Sequence, residues 1–343
     1  MKKKHLLIGL LIVVFSSYYA FKNVSMEELG RALSSVHYIY LIPAVILVAL
    51  TFLFRALRWH YLVRSVKEVT TANLFSPLMI GFMGNILPAR AGEIIRAYML
   101  AKQENISFSA SFATIFVERL MDMALFLLLL VYVLVFSPNI FLQGDSGANH
   151  RLFGYMVQFG WISFIGVIFI CGFSVLLQYK NEWAMKLVGF IIKPLPQKWR
   201  GKVVDLVGSF TQGLSILKDL KAFMAASFYS VMVWGVAVGV YYPLFMAFGL
   251  ETQLPMVTAA LVVSLTVGIF ISLFPSPAFL GSFQLACVVA LHDIFGVSNA
   301  AAASYGIVAW LVAMGFIIST GLIFLVKDNI SFSELSKSSQ QAG

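Results

Sequence analysis

Between residues 81 and 122 the chain reads GFMGNILPARAGEIIRAYMLAKQENISFSASFATIFVERLMD. No other segment narrows the possible folds as much. A glycine-rich apolar run breaks at Pro88, and a charged turn with Arg90, Glu93 and Arg96 follows. A long apolar segment then carries Glu118, Arg119 and Asp122 near its start. The other hydrophobic runs are nearly free of charge, and they are long enough to cross a bilayer. Ionisable groups at or inside hydrocarbon are expensive, so a chain that keeps six of them together has a use for them.

The membrane reading rests on composition as well as on the runs. Hydrophobic residues make up 60% of the chain and charged residues 11%, with a mean hydropathy of +0.89, which excludes an ordinary soluble domain. No polar stretch is long enough to fold alone, so residues 1–330 are expected to form one transmembrane domain, with 331–343 as a disordered polar tail. Cys171 and Cys287 both lie in apolar runs, which argues against a disulfide framework or a zinc site. The net charge of +9 reflects where the basic residues sit along one side of the membrane and is no sign of a nucleic-acid partner.

Taken in order, Leu6–Phe21 follows a basic start and has no clear cleavage site, so it reads as an uncleaved first helix. Tyr38–Leu57 is a second span, followed by a basic segment with Arg55, Arg58, Arg64 and Lys67, where Trp59 and Tyr61 suit the headgroup level. Ser76–Leu87 and Ile94–Ala101 are each too short to cross. Joined at Pro88 and Gly92, they read as a hairpin that enters and leaves by one face. Ser111–Phe136 and Phe153–Tyr179 are spans flanking a polar loop, and Lys180–Lys221 is a basic amphipathic surface segment. Phe223–Phe248 crosses again, Val257–Phe274 and Leu280–Phe295 form a second hairpin around Pro277, and Ala300–Val326 is the last span. The expected fold is therefore an all-α polytopic membrane protein, with about six full transmembrane helices plus two re-entrant hairpins. In that layout only Lys22, Arg31 and Arg151 fall opposite the main body of lysines and arginines, which places both termini in the cytoplasm. The location is then the cell membrane.

An internal repeat also emerges. Leu87–Glu93 can be laid on Ser276–Ser282, keeping Pro-Ala and the glycine four residues after the proline, Gly92 and Gly281. An odd number of spans separates the copies, so the repeat is inverted, a recurring transporter plan with the site where the breaks meet. Only the first copy is charged: Arg90, Glu93, Glu118 and Arg119 align with Phe279, Ser282, Ala309 and Trp310. The second offers Ser282 and Gln284, and an amphiphile with an anionic head suits that division.

The run Asn85, Leu87, Pro88, Arg90, Gly92, Glu93, Arg96, the later Glu118-Arg119 with Asp122, and the Pro277–Gly281 turn resemble the lysylphosphatidylglycerol synthase transmembrane-region family. That is the flippase-like domain of the multiple peptide resistance factors. The resemblance covers roughly residues 5–326. It implies lipid translocation between leaflets. Family members often carry Gly-Gly and a glutamate in the second turn, where this chain has Ala278-Phe279 and Gln284. Only a short polar tail follows the last span, so a fused aminoacyltransferase domain is not expected.

Each charged residue also has a plainer reading. Arg90 and Arg96 serve equally as topology anchors, and Glu93 with Arg96 as a pair one helical turn apart. Glu118, Arg119 and Asp122 are spaced to share one groove, with Asp122 roughly 16 Å into the span. Facing lipid, three such charges would cost roughly 7–10 kcal/mol, so they face protein or water, as a site or as a structural ion-pair cluster. His292-Asp293 reads as a helix-end cap, and the five histidines show no ligand spacing. The expectation is a lipid transporter and not an enzyme, with no catalytic residues, metal or cofactor. Its substrate is an anionic phospholipid or a polyprenyl-linked lipid. Asn85, Arg90, Glu93, Arg96, Glu118, Arg119, Asp122, Ser282 and Gln284 are the expected substrate contacts. Pro88, Gly92, Pro277 and Gly281 are the structural turns. A membrane-embedded lipid-modifying enzyme or a non-transporting partner of a lipid synthase are the alternatives, and a homo-oligomer is a further partner option.

Overall fold

The computed structural model describes residues 3–86, 91–142, 147–179 and 214–329, together with 193, 201, 207, 208, 210 and 211. Most of the basic segment between Lys180 and Lys221, the 331–343 tail and the tip of the first helix pair, with Pro88 and Arg90, lie outside the described residues. Among the described residues every regular element is helical. Helix α1 (Lys3–Phe21) and the short α2 (Met26–Ser34) precede α3 (Leu41–Arg64), which a 3-10 turn at Tyr38–Tyr40 introduces. The pair α4 (Thr71–Gly84) and α5 (Gly92–Glu104) leads into α6 (Phe108–Phe136), followed by α7 (Asn139–Leu142) and α8 (Gly147–Tyr179). After the basic segment come α9 (Leu220–Gly239), α10 (Tyr241–Ala247) and α11 (Met256–Leu273). A tight turn joins α11 to α12 (Ser282–Val288), which widens into a π-helical end at Val289–Ile294 before α13 (Asn299–Lys327).

The helices start where the sequence supplies a cap. The Ser107 hydroxyl accepts a hydrogen bond from the Ala110 N–H at 3.1 Å, the Asp219 carboxylate one from the Ala222 N–H at 3.1 Å, and Ser298 one from the Ala301 N–H at 3.3 Å. Helix α5 ends at Asn105, whose φ of 51° puts it in the left-handed region that stops a helix. Pro243 has no N–H to offer the carbonyl of Gly239, which is where α9 gives way to α10.

Seven helices among the described residues are long and apolar enough to cross a membrane. Five are expected spans: Tyr38–Arg64, Phe108–Phe136, Phe153–Leu176, Leu220–Ala247 and Asn299–Lys327. The other two, Met256–Leu273 and Pro277–Ile294, are the limbs of the expected second hairpin. Met256–Leu273 is one continuous helix of span length. Pro277–Ile294 reaches it only when the single turn at Pro277–Phe279, broken by the left-handed backbone of Ala278, is taken together with α12 and its π-helical end. The first helix falls short of the same measure, its apolar part being Gly9–Phe21. Large apolar side chains such as Leu128, Val135, Phe136, Ile162 and Phe169 point outward, as lipid-facing positions do.

One sequence of elements occurs twice: a long helix, a helix pair, a long helix. In the first occurrence these are α3, α4–α5 and α6, and in the second α9–α10, α11–α12 and α13. Packing follows the same scheme in both. The paired helices touch each other, α5 packs on α6 as α12 packs on α13, and each pair's first helix crosses to the other unit, α4 to α13 and α11 to α6. Helix α3 lies against α9 in the most extensive helix–helix contact among the described residues.

Glycines decide how closely α4 and α5 approach. A Cβ on Gly81 would come within 2.7 Å of Arg96 Cβ, and one on Gly84 within 2.8 Å of Ile95 Cδ1. A Cβ on Gly92 would collide with the Gly81 carbonyl and with Asn85 Oδ1. Only side-chain-free positions let these backbones touch, the same small-residue logic that packs membrane helices. Each helix is 13 or 14 residues long, shorter than the seven candidate spans.

Candidate site: a buried arginine–carboxylate cluster

The close pairing of α4 and α5 brings Arg96 to the side of α6 that carries Glu118 and Asp122, while α3 brings Arg55 and Arg58 from the opposite flank. Arg58 is fully buried. Its Nη1 donates to Asp122 Oδ1 at 2.6 Å and its Nη2 to Glu118 Oε1 at 2.8 Å and Asp122 Oδ2 at 3.3 Å. Nη1 also reaches Ser230 Oγ on α9 at 3.2 Å, so this one side chain ties α3, α6 and α9 together. Arg96 Nη2 donates to Glu118 Oε2 at 2.7 Å. Its guanidinium carbon lies 3.7 Å from the ring centre of Trp59, whose Nε1 in turn donates to Thr114 Oγ1 at 3.0 Å. Arg96 is thereby held by charge on one side and by a ring face on the other.

Arg119 pairs more loosely. Its Nη2 lies 3.2 Å from Glu118 Oε1 and 3.4 Å from Asp122 Oδ2, and its Nε 3.4 Å from Glu93 Oε1. The Arg119 and Glu93 side chains are 35% and 44% exposed, so they form the open edge of the cluster. Arg55 completes it with Nη1 at 3.8 Å from Asp122 and 4.0 Å from Glu118, beside the ring of Phe82 on α4. At about 1.5 Å per residue, these groups lie roughly 9–21 Å from the helix ends that carry Arg64, Glu104 and Phe108. The charges therefore lie well inside α3, α5 and α6 and away from the helix ends, where they persist only because each faces the others.

Of the expected site residues, the cluster unites Glu93, Arg96, Glu118, Arg119 and Asp122. The expected pair Arg119–Asp122 is present. Glu93 instead turns to Arg119 and Arg96 to Glu118, because the two ends of a helical turn on α5 face different neighbours. Asn85 caps α4 against Gly92, with Oδ1 buried and without a hydrogen-bond partner. Arg90 and Pro88 fall outside the described residues. Arg58 and Arg55 are the additions. Sequence reading placed them, with Trp59, beyond the span at headgroup level, yet Arg58 and Trp59 are buried inside a helix that runs to Arg64. The signal was present: Leu62 and Val63 stand four residues after Arg58 and Trp59 and repeat their faces, so the helix continues apolar past the arginines.

The chain matches the family described as the lysylphosphatidylglycerol synthase TM region over residues 6–321. It belongs to this family. Among curated relatives, a UPF0104 membrane protein of Methanothermobacter thermautotrophicus is 23% identical over 320 residues, covering 90% of each chain. A UPF0104 membrane protein of Methanocaldococcus jannaschii is 24% identical over 260 residues, 74% of this chain and 75% of that one. The glycosyltransferase AglD of Haloferax volcanii is 21% identical over 340 residues, 95% of this chain and 54% of the longer protein. No solved structure matches the chain.

In this member of the lysylphosphatidylglycerol synthase transmembrane family the second turn holds Ala278 and Phe279 at φ of 51° and 59°, in the region that glycine enters freely. Gly281 has φ of 80° and faces α1 so closely that a Cβ would lie 2.9 Å from Val13 O and from Ser17 Oγ. Pro277 packs on Gly9 of the same helix. Ser282 and Gln284 are buried and spend their polar atoms on the turn: Gln284 Oε1 accepts from the Gly281 N–H at 2.8 Å, and Ser282 Oγ lies 2.9 Å from Ser276 Oγ. From α13, Trp310 Nε1 donates to the Ala278 carbonyl at 2.8 Å. His292 Nδ1 lies 2.7 Å from the Val297 carbonyl and closes the end of its helix, the capping arrangement expected from sequence.

Proposed function

We propose that this protein moves a lipid with an anionic headgroup between the leaflets of the cell membrane, and that the arginine–carboxylate cluster receives the headgroup. The observation that carries the reading is a group of four guanidinium groups and three carboxylates gathered from the spanning helices α3 and α6 and the short helix α5, closed on the side of Arg58 and Arg96 and open at Arg119, Glu93 and Arg55. Guanidinium groups pair with phosphate oxygens in forked geometry, and a half-open edge lets a headgroup reach them. Arg58, Arg96, Ser282 and Gln284 then act as the frame, since their polar groups are directed inward. The repeated helix–pair–helix scheme supports two inverted units with a re-entrant first pair, and the excess of basic residues beside it supports cytoplasmic termini.

The test is lipid movement in reconstituted vesicles. A fluorescent anionic phospholipid in both leaflets is bleached from outside. Protein-containing vesicles should lose more than the outer half of the signal, and Glu118→Gln vesicles with equal incorporation should lose only that half. Bleaching identical to protein-free vesicles for the wild-type protein would overturn the transport reading. The likeness to the glycosyltransferase AglD favours one second reading, that the domain serves a glycosyl-transferring enzyme. Polyprenyl-linked lipids are the other substrate to place in the same vesicles.

A further inference from the structure

The hydrogen bonds inside the cluster are unequally shared, and Arg55 is the arginine left over. Glu118 Oε1 accepts from Arg58 and Arg119, and Oε2 from Arg96. Asp122 Oδ1 accepts from Arg58, and Oδ2 faces Arg58 and Arg119. Arg55 makes none of these hydrogen bonds: its nearest approaches to the two carboxylates are 3.8 and 4.0 Å, beyond hydrogen-bond length. Its Nη1 is buried with no hydrogen-bond partner, while the side chain as a whole keeps 18% exposure. A buried cation without its own hydrogen-bond acceptor is costly, and a ligand that supplies the acceptor relieves that cost.

We propose that Arg55 is the residue that binds the headgroup anion directly, and that the site is matched to a lipid carrying a single negative charge on a phosphodiester. This rests on the transport reading above, and it adds both a residue and a charge class to it. Over the described residues the cluster has Arg55, Arg58, Arg96 and Arg119 against Glu93, Glu118 and Asp122, one positive charge in excess. A phosphodiester neutralises that excess with two free oxygens for a guanidinium fork. A phosphomonoester, with charge between about −1.5 and −2 near neutral pH, or a diphosphate overshoots it and meets Glu118 and Asp122 at close range in a low-dielectric setting. Phe82 beside Arg55 supplies the apolar wall against which the lipid's glycerol end would lie.

The experiment uses the full chain in detergent and compares Arg55→Gln with the wild type in two measurements. The first is the melting temperature without added lipid. Removing the unpaired cation should leave it equal or raised, whereas an arginine that serves the frame would lower it. The second is the dissociation constant for short-chain phosphatidylglycerol, phosphatidic acid and a polyprenyl diphosphate, each titrated separately. Wild-type protein should bind the diester at least tenfold more tightly than the other two, and Arg55→Gln should lose at least tenfold of the diester affinity. Arg55→Lys, which keeps the charge without the fork, should fall between. Equal diester affinity in Arg55→Gln and wild type overturns the assignment of Arg55, and a diphosphate that binds as tightly as the diester overturns the charge class. Neither outcome depends on transport. Diester binding with the expected pattern in a protein that moves no lipid would instead count against the transport reading alone.

Discussion

At the scale of single residues, Arg58 is the centre of the cluster, because among the described residues it alone hydrogen-bonds to both Glu118 and Asp122 and to the neighbouring Ser230. Changing Asp122 to alanine removes two of Arg58's contacts and leaves charge uncompensated, which typically costs about 3–5 kcal/mol. Arg119 pairs with Asp122 as well, but at longer range, so Arg119→Leu should rescue Asp122→Ala less than Arg58→Leu does. A thermal-denaturation double-mutant cycle should give Arg58 and Asp122 a coupling of about 2 kcal/mol and Arg119 and Asp122 clearly less. The second turn offers a change in the opposite direction. Ala278 and Phe279 hold left-handed backbone at a cost of roughly 1–2 kcal/mol for a residue with a Cβ. Ala278→Gly keeps the carbonyl that receives Trp310 and should raise the melting temperature, by an amount corresponding to about 1 kcal/mol.

At the scale of elements, the short pair α4–α5 positions Arg96, and glycine contacts hold the pair together. Gly92→Ala would push α5 off the Gly81 carbonyl and Asn85. It should therefore disturb the Arg96–Glu118 bond from a distance and abolish anionic-lipid binding even though position 92 bears no charge. Gly154→Ala, at a glycine with open space around it, is the control that should leave both folding and binding unchanged. Helix α2 carries a pH dependence of its own. The Ser25 N–H donates to Glu28 Oε2 at 3.0 Å and holds that carboxyl below its ordinary value. A lowered folded-state value means the cap stabilises α2 in full above the ordinary carboxylate value, and that stabilisation is lost as pH falls below it and through the lowered folded-state value. Hydrogen-exchange protection factors in the first turn of α2, taken relative to the intrinsic rate at each pH, should fall on acidification, and Glu28→Gln should remove most of that pH dependence.

At the scale of the whole molecule, the cluster sits where both units meet: Arg58 on α3 reaches Ser230 on α9 across the largest contact between them. A cysteine at Glu251 should react with an impermeant reagent from outside the cell and one at Glu68 should not, and the reverse pattern would invert the proposed orientation. Much of this was legible in the residues themselves. Apolar run lengths identified the five long spans, because crossing hydrocarbon demands about 20 residues regardless of context. The 3- and 4-residue spacing of Glu118, Arg119 and Asp122 identified one charged face, because the helical period is local. Tertiary structure alone decided which cation each carboxylate takes. Arg58 and Asp122 are 64 positions apart, and their meeting depends on the rotation and depth of α3 against α6, which distant packing sets. The same holds for Arg55: nothing in its neighbours along the chain shows that other arginines make the hydrogen bonds to Glu118 and Asp122 while it makes none. Hydrogen bonds are shared out across helices, so a residue left without one becomes visible only once all the helices are in place.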